Sequence, residues 1–224
     1  MKSGLSCLMV VLLVLCLGGC VTESNRSLDV DKPLAAYMFY NGPRASVAIG
    51  NFDNRSGFLR GIFSDNEDRL GNQAKTILIT HLSQTNYFTV LDRNNMEAAV
   101  REAEILGEAQ ELLGASYLVT GDVSEFGRRE VTDYQFFGIL GRGKKQIAYS
   151  KVNLNIVDIR SSAVVYSVQG AGEYELSDRE LLGFGTAAGY DSTLNGKVLD
   201  LSIREAVDRL VEAINSGAWR PLGA

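Results

Sequence analysis

Val164-Val165-Tyr166-Ser167-Val168-Gln169-Gly170-Ala171-Gly172-Glu173-Tyr174-Glu175-Leu176 is the stretch that decides how this chain folds. Its even positions read Val164, Tyr166, Val168, Gly170, Gly172, Tyr174 and Leu176. From Ser167 to Glu175 its odd positions read Ser167, Gln169, Ala171, Glu173 and Glu175. Successive side chains of a strand point to opposite faces, so this alternation gives one apolar face and one polar face. About a dozen residues is roughly twice the ordinary strand length of ~5–6 residues. A return segment follows. Leu182, Phe184, Thr186, Ala188 and Tyr190 share one parity, and Gly183, Gly185, Ala187 and Gly189 the other.

A rougher copy of the pattern precedes it. Tyr134 and Phe136 alternate with Asp133 and Gln135; Ala148, Ser150, Val152, Leu154 and Ile156 oppose Lys151, Asn153 and Asn155. The segment 137–145 between them reads as a hairpin tip. Its Gly141-Arg142-Gly143-Lys144-Lys145 lacks the spacing and the following helix of a phosphate-binding loop. The sequence therefore predicts two long amphipathic hairpins, approximately 127–157 and 163–193. In water such an apolar face packs on a core. In a bilayer it faces lipid, and a membrane strand needs ~9–11 residues with aromatic residues near the interfaces. The alternation fits both.

Upstream the periodicity changes. Ser46–Gly50 reads as a strand, followed by a turn-rich loop through Asn54, Ser56 and Gly57. Leu70, Ala74, Ile77, Leu78 and Leu82 fall near 3.6 spacing and predict a helix over 70–82. Tyr87–Leu91 is a second strand. Asp92 is placed to cap a helix over 95–105, with further turns over Glu108–Leu113. Tyr117–Val123 is a third strand. A last helix, 195–215, carries Leu199, Ile203, Val207, Leu210 and Ile214 on one stripe. The fold class expected is α+β: a mixed sheet with flanking helices, carrying the two hairpins.

The N-terminus fixes address before fold. Met1-Lys2 is followed by an apolar run, Leu8 to Leu17, and then by Gly18-Gly19-Cys20. A positive start, a short apolar core and small residues before a cut make a secretory signal, and the run is too short for a transmembrane helix of ~20 residues. Leu17-Gly18-Gly19-Cys20 resembles the bacterial lipoprotein box, which implies cleavage before Cys20 and acylation of that residue. The expected organisation is a signal peptide over 1–19, a lipidated tether over 20–45 and a domain over 46–224. Val21 after the cysteine resembles the sorting pattern of outer-membrane lipoproteins.

Inventory then excludes several kinds of chemistry. Of three cysteines, Cys7 and Cys16 leave with the signal and lipid occupies Cys20, so no disulfide or thiolate site is expected. His81 is the one histidine, set beside an apolar helix stripe, and is expected to be structural. Asp122, Glu125 and Asp133 form no evident acid/base pair. The net charge of −5 argues against nucleic acid as a partner. No enzyme activity, metal or cofactor is expected.

Taken in order, these pieces resemble the curli secretion channel family, CsgG and its holdfast-attachment relatives of the HfaB type. The residues that carry the resemblance are Val47-Ala48-Ile49-Gly50-Asn51-Phe52-Asp53-Asn54-Arg55-Ser56-Gly57, Tyr87-Phe88-Thr89-Val90-Leu91-Asp92-Arg93, Leu113-Gly114-Ala115-Ser116-Tyr117-Leu118-Val119-Thr120-Gly121-Asp122-Val123, Val152 to Ile159, and the second hairpin. The resemblance implies an outer-membrane lipoprotein with a periplasmic domain, in a homo-oligomeric ring whose hairpins close one shared barrel. About nine subunits would give ~36 strands, the largest barrel size known. It further implies export of an unfolded polypeptide, with an accessory periplasmic protein as a partner. Carried onto this sequence, it makes Phe58, Phe63 and Asn66 candidates for a constriction in the loop after the first strand. This loop is shorter than the curli-channel pattern, lacks its Tyr and carries Arg60, Asp65, Glu67, Asp68 and Arg69 instead. Ser167, Gln169, Glu173 and Glu175 become lumen-facing candidates; Tyr166, Val168, Tyr174, Leu176, Phe184 and Tyr190 become lipid-facing ones. The other expectation is a lipid-anchored periplasmic adaptor or activator, with the hairpins packed on their own domain and no pore.

Overall fold

Within the described residues the alternating segments form strands, and these are longer than their periodicity alone marks out. The computed structural model describes residues 31–58, 68–134, 142–180 and 193–221. The chain divides into Met1–Asp31 and Lys32–Ala224, and the sheet and helices belong to the second unit. After a 3₁₀ turn at Leu34–Tyr37 come β1 (Ala45–Asn54), α1 (Arg69–Gln84), β2 (Phe88–Leu91), α2 (Met96–Leu106), β3 (Tyr117–Tyr134), β4 (Arg142–Asp158), β5 (Val164–Glu180) and α3 (Thr193–Asn215). The strands make one mixed sheet in the order β2-β1-β3-β4-β5. β1 runs parallel to β2 and β3, whereas β3, β4 and β5 are antiparallel. This is the expected α+β class.

β3, β4 and β5 form one continuous ribbon among the described residues, because β5 pairs with β4 from Val164 to Glu180. Of the tip expected over 137–145, residues 142–145 belong to β4 and 137–141 lie outside the described residues, as does the return segment over 182–190 with Phe184 and Tyr190. One expectation changes: Glu108–Leu113 is not helical. Gly107 takes a left-handed conformation at φ 73°. The N–H groups of Gly107 and Glu108 close back on the carbonyls of Glu104 and Ala103, a glycine stop that ends the helix.

α1 and α3 cover one face of the sheet. Leu70, Ala74, Leu78 and Leu82 of α1, and Leu199, Ile203, Val207 and Leu210 of α3, are buried against Val47, Val119, Val152, Leu154 and Ile156. His81 of α1 is buried, with its Nε2 2.8 Å from Asp200 Oδ1 of α3, so it serves as a structural tie. Ser202 of α3 donates to Ser150 Oγ of β4 at 3.0 Å. Trp219, just past α3, closes the base of the core. Its ring stacks on Phe88 and Tyr166 and meets Tyr117 edge-on. The segment expected to be tether is partly docked: Ala35 is buried, and the Leu34 and Ala35 N–H groups donate to the Asp208 carboxylate at 3.1 and 2.9 Å.

The even-numbered face of β5 reads Gly170 and Gly172 for a physical reason. α3 crosses β5 at backbone contact. A Cβ on Gly170 would fall on the Ser202 carbonyl oxygen and lie 2.6 Å from the Ala206 nitrogen. The substitution Gly170→Ala therefore forces α3 off the sheet, at a cost of about 1–3 kcal/mol. For a domain of this size that lowers the thermal midpoint by roughly 2–10 °C. Ala171→Ser, on the exposed face, leaves it unchanged. A Gly170→Ala melt that coincides with wild type would contradict the close approach.

Candidate functional site

Helices α1 and α3 leave the other face of the β3–β4–β5 ribbon open, and that face is polar. In strand register Asp122, Asn153 and Gln169 stand side by side. Asn153 Nδ2 donates to Asp122 Oδ1 at 2.8 Å, and Gln169 Nε2 donates to Asn153 Oδ1 at 2.7 Å. One row away Ser167 Oγ donates to Asn155 Oδ1 at 2.7 Å. Further along the ribbon Lys151 pairs with Glu125 at 3.5 Å, and Arg129 with Glu173 at 3.1 Å. A concavity of about 410 Å³ lies over Asp122, Asn153, Asn155, Ser167 and Gln169. A second, of about 450 Å³, lies round the edge of β5 against Arg209, Glu212 and Ser216 of the α3 region. These groups donate and accept hydrogen bonds. Among the described residues no cluster of His, Cys, Asp or Glu is built to hold a metal ion.

The structure thus brings Ser167, Gln169 and Glu173 onto one exposed ladder, and Glu175 is exposed as well. The partners Asp122, Asn153, Asn155 and Arg129 complete it. Asn153 and Asn155 were marked by their parity in β4, but their pairing across strands depends on register, which parity does not give.

The lipid-facing candidates divide differently. Tyr166 stacks on Trp219 at 6.3 Å, and Val168 is buried in the core. Both lie against their own domain. An apolar strand face looks the same in sequence whether a helix or a bilayer covers it. Tyr174 is 39% exposed, and Lys197 Nζ stands 5.4 Å from its ring centroid. Leu176 lies in β5, opposite Gln146.

The loop after β1 is pinned at both ends by one side chain. Asp68 caps α1 by accepting from the Gly71 N–H at 2.8 Å, and it also accepts from the Asn54 N–H at the end of β1. A Cβ on Gly71 would collide with the Phe52 carbonyl oxygen. Phe58 packs its ring on Phe126 of β3 at 4.8 Å, and the Asn54 side-chain amide donates to its carbonyl at 2.9 Å. Phe58 is therefore held against the subunit's own core. Phe63 and Asn66 lie outside the described residues, as does Cys20.

Because the ladder is open to water, Asn153→Ala exchanges its two side-chain hydrogen bonds for hydration. The expected loss in a denaturant titration is about 1 kcal/mol. A loss above ~3 kcal/mol would mean that this face is sealed.

The family model for the curli production assembly/transport component CsgG matches residues 41–223. A provisionally named lipoprotein of Neisseria meningitidis serogroup B (strain ATCC BAA-335 / MC58), NMB1126/NMB1164, is 63% identical over 205 residues, 92% of each chain. Among solved structures, the chain is similar to a PelC dodecamer from Paraburkholderia phytofirmans: 15% identity, 75% of this chain, 93% of that one and a TM-score of 0.36. It is also similar to lipoprotein GNA1162 from Neisseria meningitidis: 16% identity, 77% of this chain, 99% of that one and a TM-score of 0.36. With the family model matched over most of its length, the chain belongs to the CsgG family.

Proposed function

We propose that this chain is a lipoprotein anchored through Cys20 in the outer membrane, one subunit of a homo-oligomeric ring. The ring exports an unfolded curli-like or adhesive polypeptide, or anchors an adhesin assembly. It runs no chemistry and needs no cofactor. An accessory periplasmic protein is its natural partner. Family membership supports this reading, as does the lipoprotein name of the 63% identical relative.

The observation that carries it is the arm. Among the residues whose burial is described, Phe126 is the last buried apolar one of β3, which continues to Tyr134, and β5 continues past Gly172 to Glu180. At ~3.3 Å per residue these extensions reach about 25 Å beyond the core, comparable to the ~25 Å apolar band of outer-membrane barrels. Among the described residues the ribbon's outer edge has no strand beside it, and neighbouring copies in a closed ring would satisfy the backbone groups at its open edges.

One observation favours the second reading, a lipid-anchored periplasmic adaptor or activator whose strands stay in water and form no pore. Neither parity of 128–134 is apolar: Arg128, Glu130, Thr132 and Tyr134 alternate with Arg129, Val131 and Asp133. The register sets Lys144 opposite Asp178 and Arg142 opposite Glu180. A Lys or Arg facing lipid at mid-bilayer costs about 2–4 kcal/mol.

Purified from membranes in detergent and returned to planar bilayers, the full-length protein is expected to give stepwise conductance as a ring. Cys20→Ser is expected to lose acyl labelling and membrane retention. A protein that stays monomeric, or rings that never conduct, would contradict the pore and select the periplasmic adaptor.

A further inference from the structure

No residue of α2 is buried, although its sequence is amphipathic. Met96, Ala99, Val100, Ala103 and Leu106 recur at helical spacing. A stripe of that kind ordinarily lies against a core. Here Val100 is 39% and Leu106 73% exposed, and the chain after the helix adds Leu112 at 56% and Leu113 at 58%. On the far side of the sheet the outer edge of β5 is equally open. Among the described residues β5 pairs only with β4. Val164–Gly172 holds no charged residue and no proline, the usual guards of an edge strand. Arg209 Nη1 donates to the Gln169 carbonyl at 3.1 Å. The concavity of about 450 Å³ beside it is lined by Tyr166, Gln169, Arg209, Glu212 and Ser216.

Strand order relates these two surfaces. The arms arise from β3, β4 and β5, which are consecutive in the sheet; β1, β2 and the helix that leaves β2 lie on the β3 side. In a ring closed through the arms every copy has the same cyclic order. Next to the β5 edge of one copy stands the β2–α2 flank of the following copy. The contact is head-to-tail, with different surfaces meeting, and it repeats until the ring closes.

We infer that the α2 flank, through Val100, Leu106, Leu112 and Leu113, docks on the β5–α3 edge of a second copy of this chain, over Tyr166, Gln169, Arg209 and Ser216. The inference rests on the ring reading and adds its orientation and its contact. It accounts for an amphipathic helix that buries nothing in its own subunit and for an unguarded edge strand.

The test uses the full-length lipidated protein carrying Leu106→Cys and Ser216→Cys together, with each single variant as a control. Treated with a flexible bis-maleimide, the double variant is expected to give a ladder of covalent multimers rising to the whole ring, while the single variants stop at dimers. Leu106→Glu with Leu113→Glu, both exposed in the subunit, is expected to raise the concentration needed for assembly by roughly tenfold or more. Rings that persist by native mass measurement with no ladder and no effect of the glutamates would overturn this contact and leave the ring reading standing. Absence of any ring in the wild-type protein would overturn both.

Discussion

β4 is hydrogen-bonded on both sides along its length, to β3 from Arg142 to Asp158 and to β5 from Arg142 to Val157. Every other feature depends on that double pairing. It makes the helix-covered half of the sheet and the projecting arm one ribbon, so the arm inherits its direction from the core. It also fixes which residues stand side by side, and so creates the Asp122–Asn153–Gln169 row from residues spread over nearly fifty positions of sequence. Register slips are the failure such a ribbon must avoid, since one residue of slip exchanges its faces. The buried Val152, Leu154 and Ile156 hold β4 in place, because a slip would put Asn153 and Asn155 into the core.

The second constraint is the crossing of α3 over β5. Gly170 and Gly172 let the helix backbone come close, and Trp219 then seals the lower end against three strands. The helix-covered face is spent on stability. The other face carries polar groups that satisfy one another and remain open to water. This division gives the ribbon one open polar side and one packed side, and the α2 flank is a third surface that packs on nothing inside a single subunit.

Much of this was legible in the sequence. The 3.6 spacing of Leu70, Ala74, Leu78 and Leu82 marked α1, and the period-two alternation after Val164 marked β5 and its polar face. What could not be read was the identity of the cover. Tyr166 and Val168 carry the same alternation whether lipid or α3 lies over them, and only the paired glycines hint at a helix pressed close. The helical pattern over Glu108–Leu113 was overridden by the left-handed Gly107 before it. The constriction candidates were legible only through family resemblance. Phe58 then proved to be engaged by Phe126, a contact between residues far apart in sequence.

The central claim is that the arm's free edge is completed by a neighbouring copy. Amide hydrogen exchange along β5, Glu173 to Glu180, compared between protein in native membranes and dissociated protein, tests it most directly. Among the described residues β5 pairs only with β4; on that pairing, alternate amides of the stretch point away from β4 and are expected to exchange fast in a dissociated subunit, while those facing β4 are protected. The account predicts that assembly protects both sets. Outward-facing amides that exchange as fast in the membrane as in the dissociated subunit would contradict it.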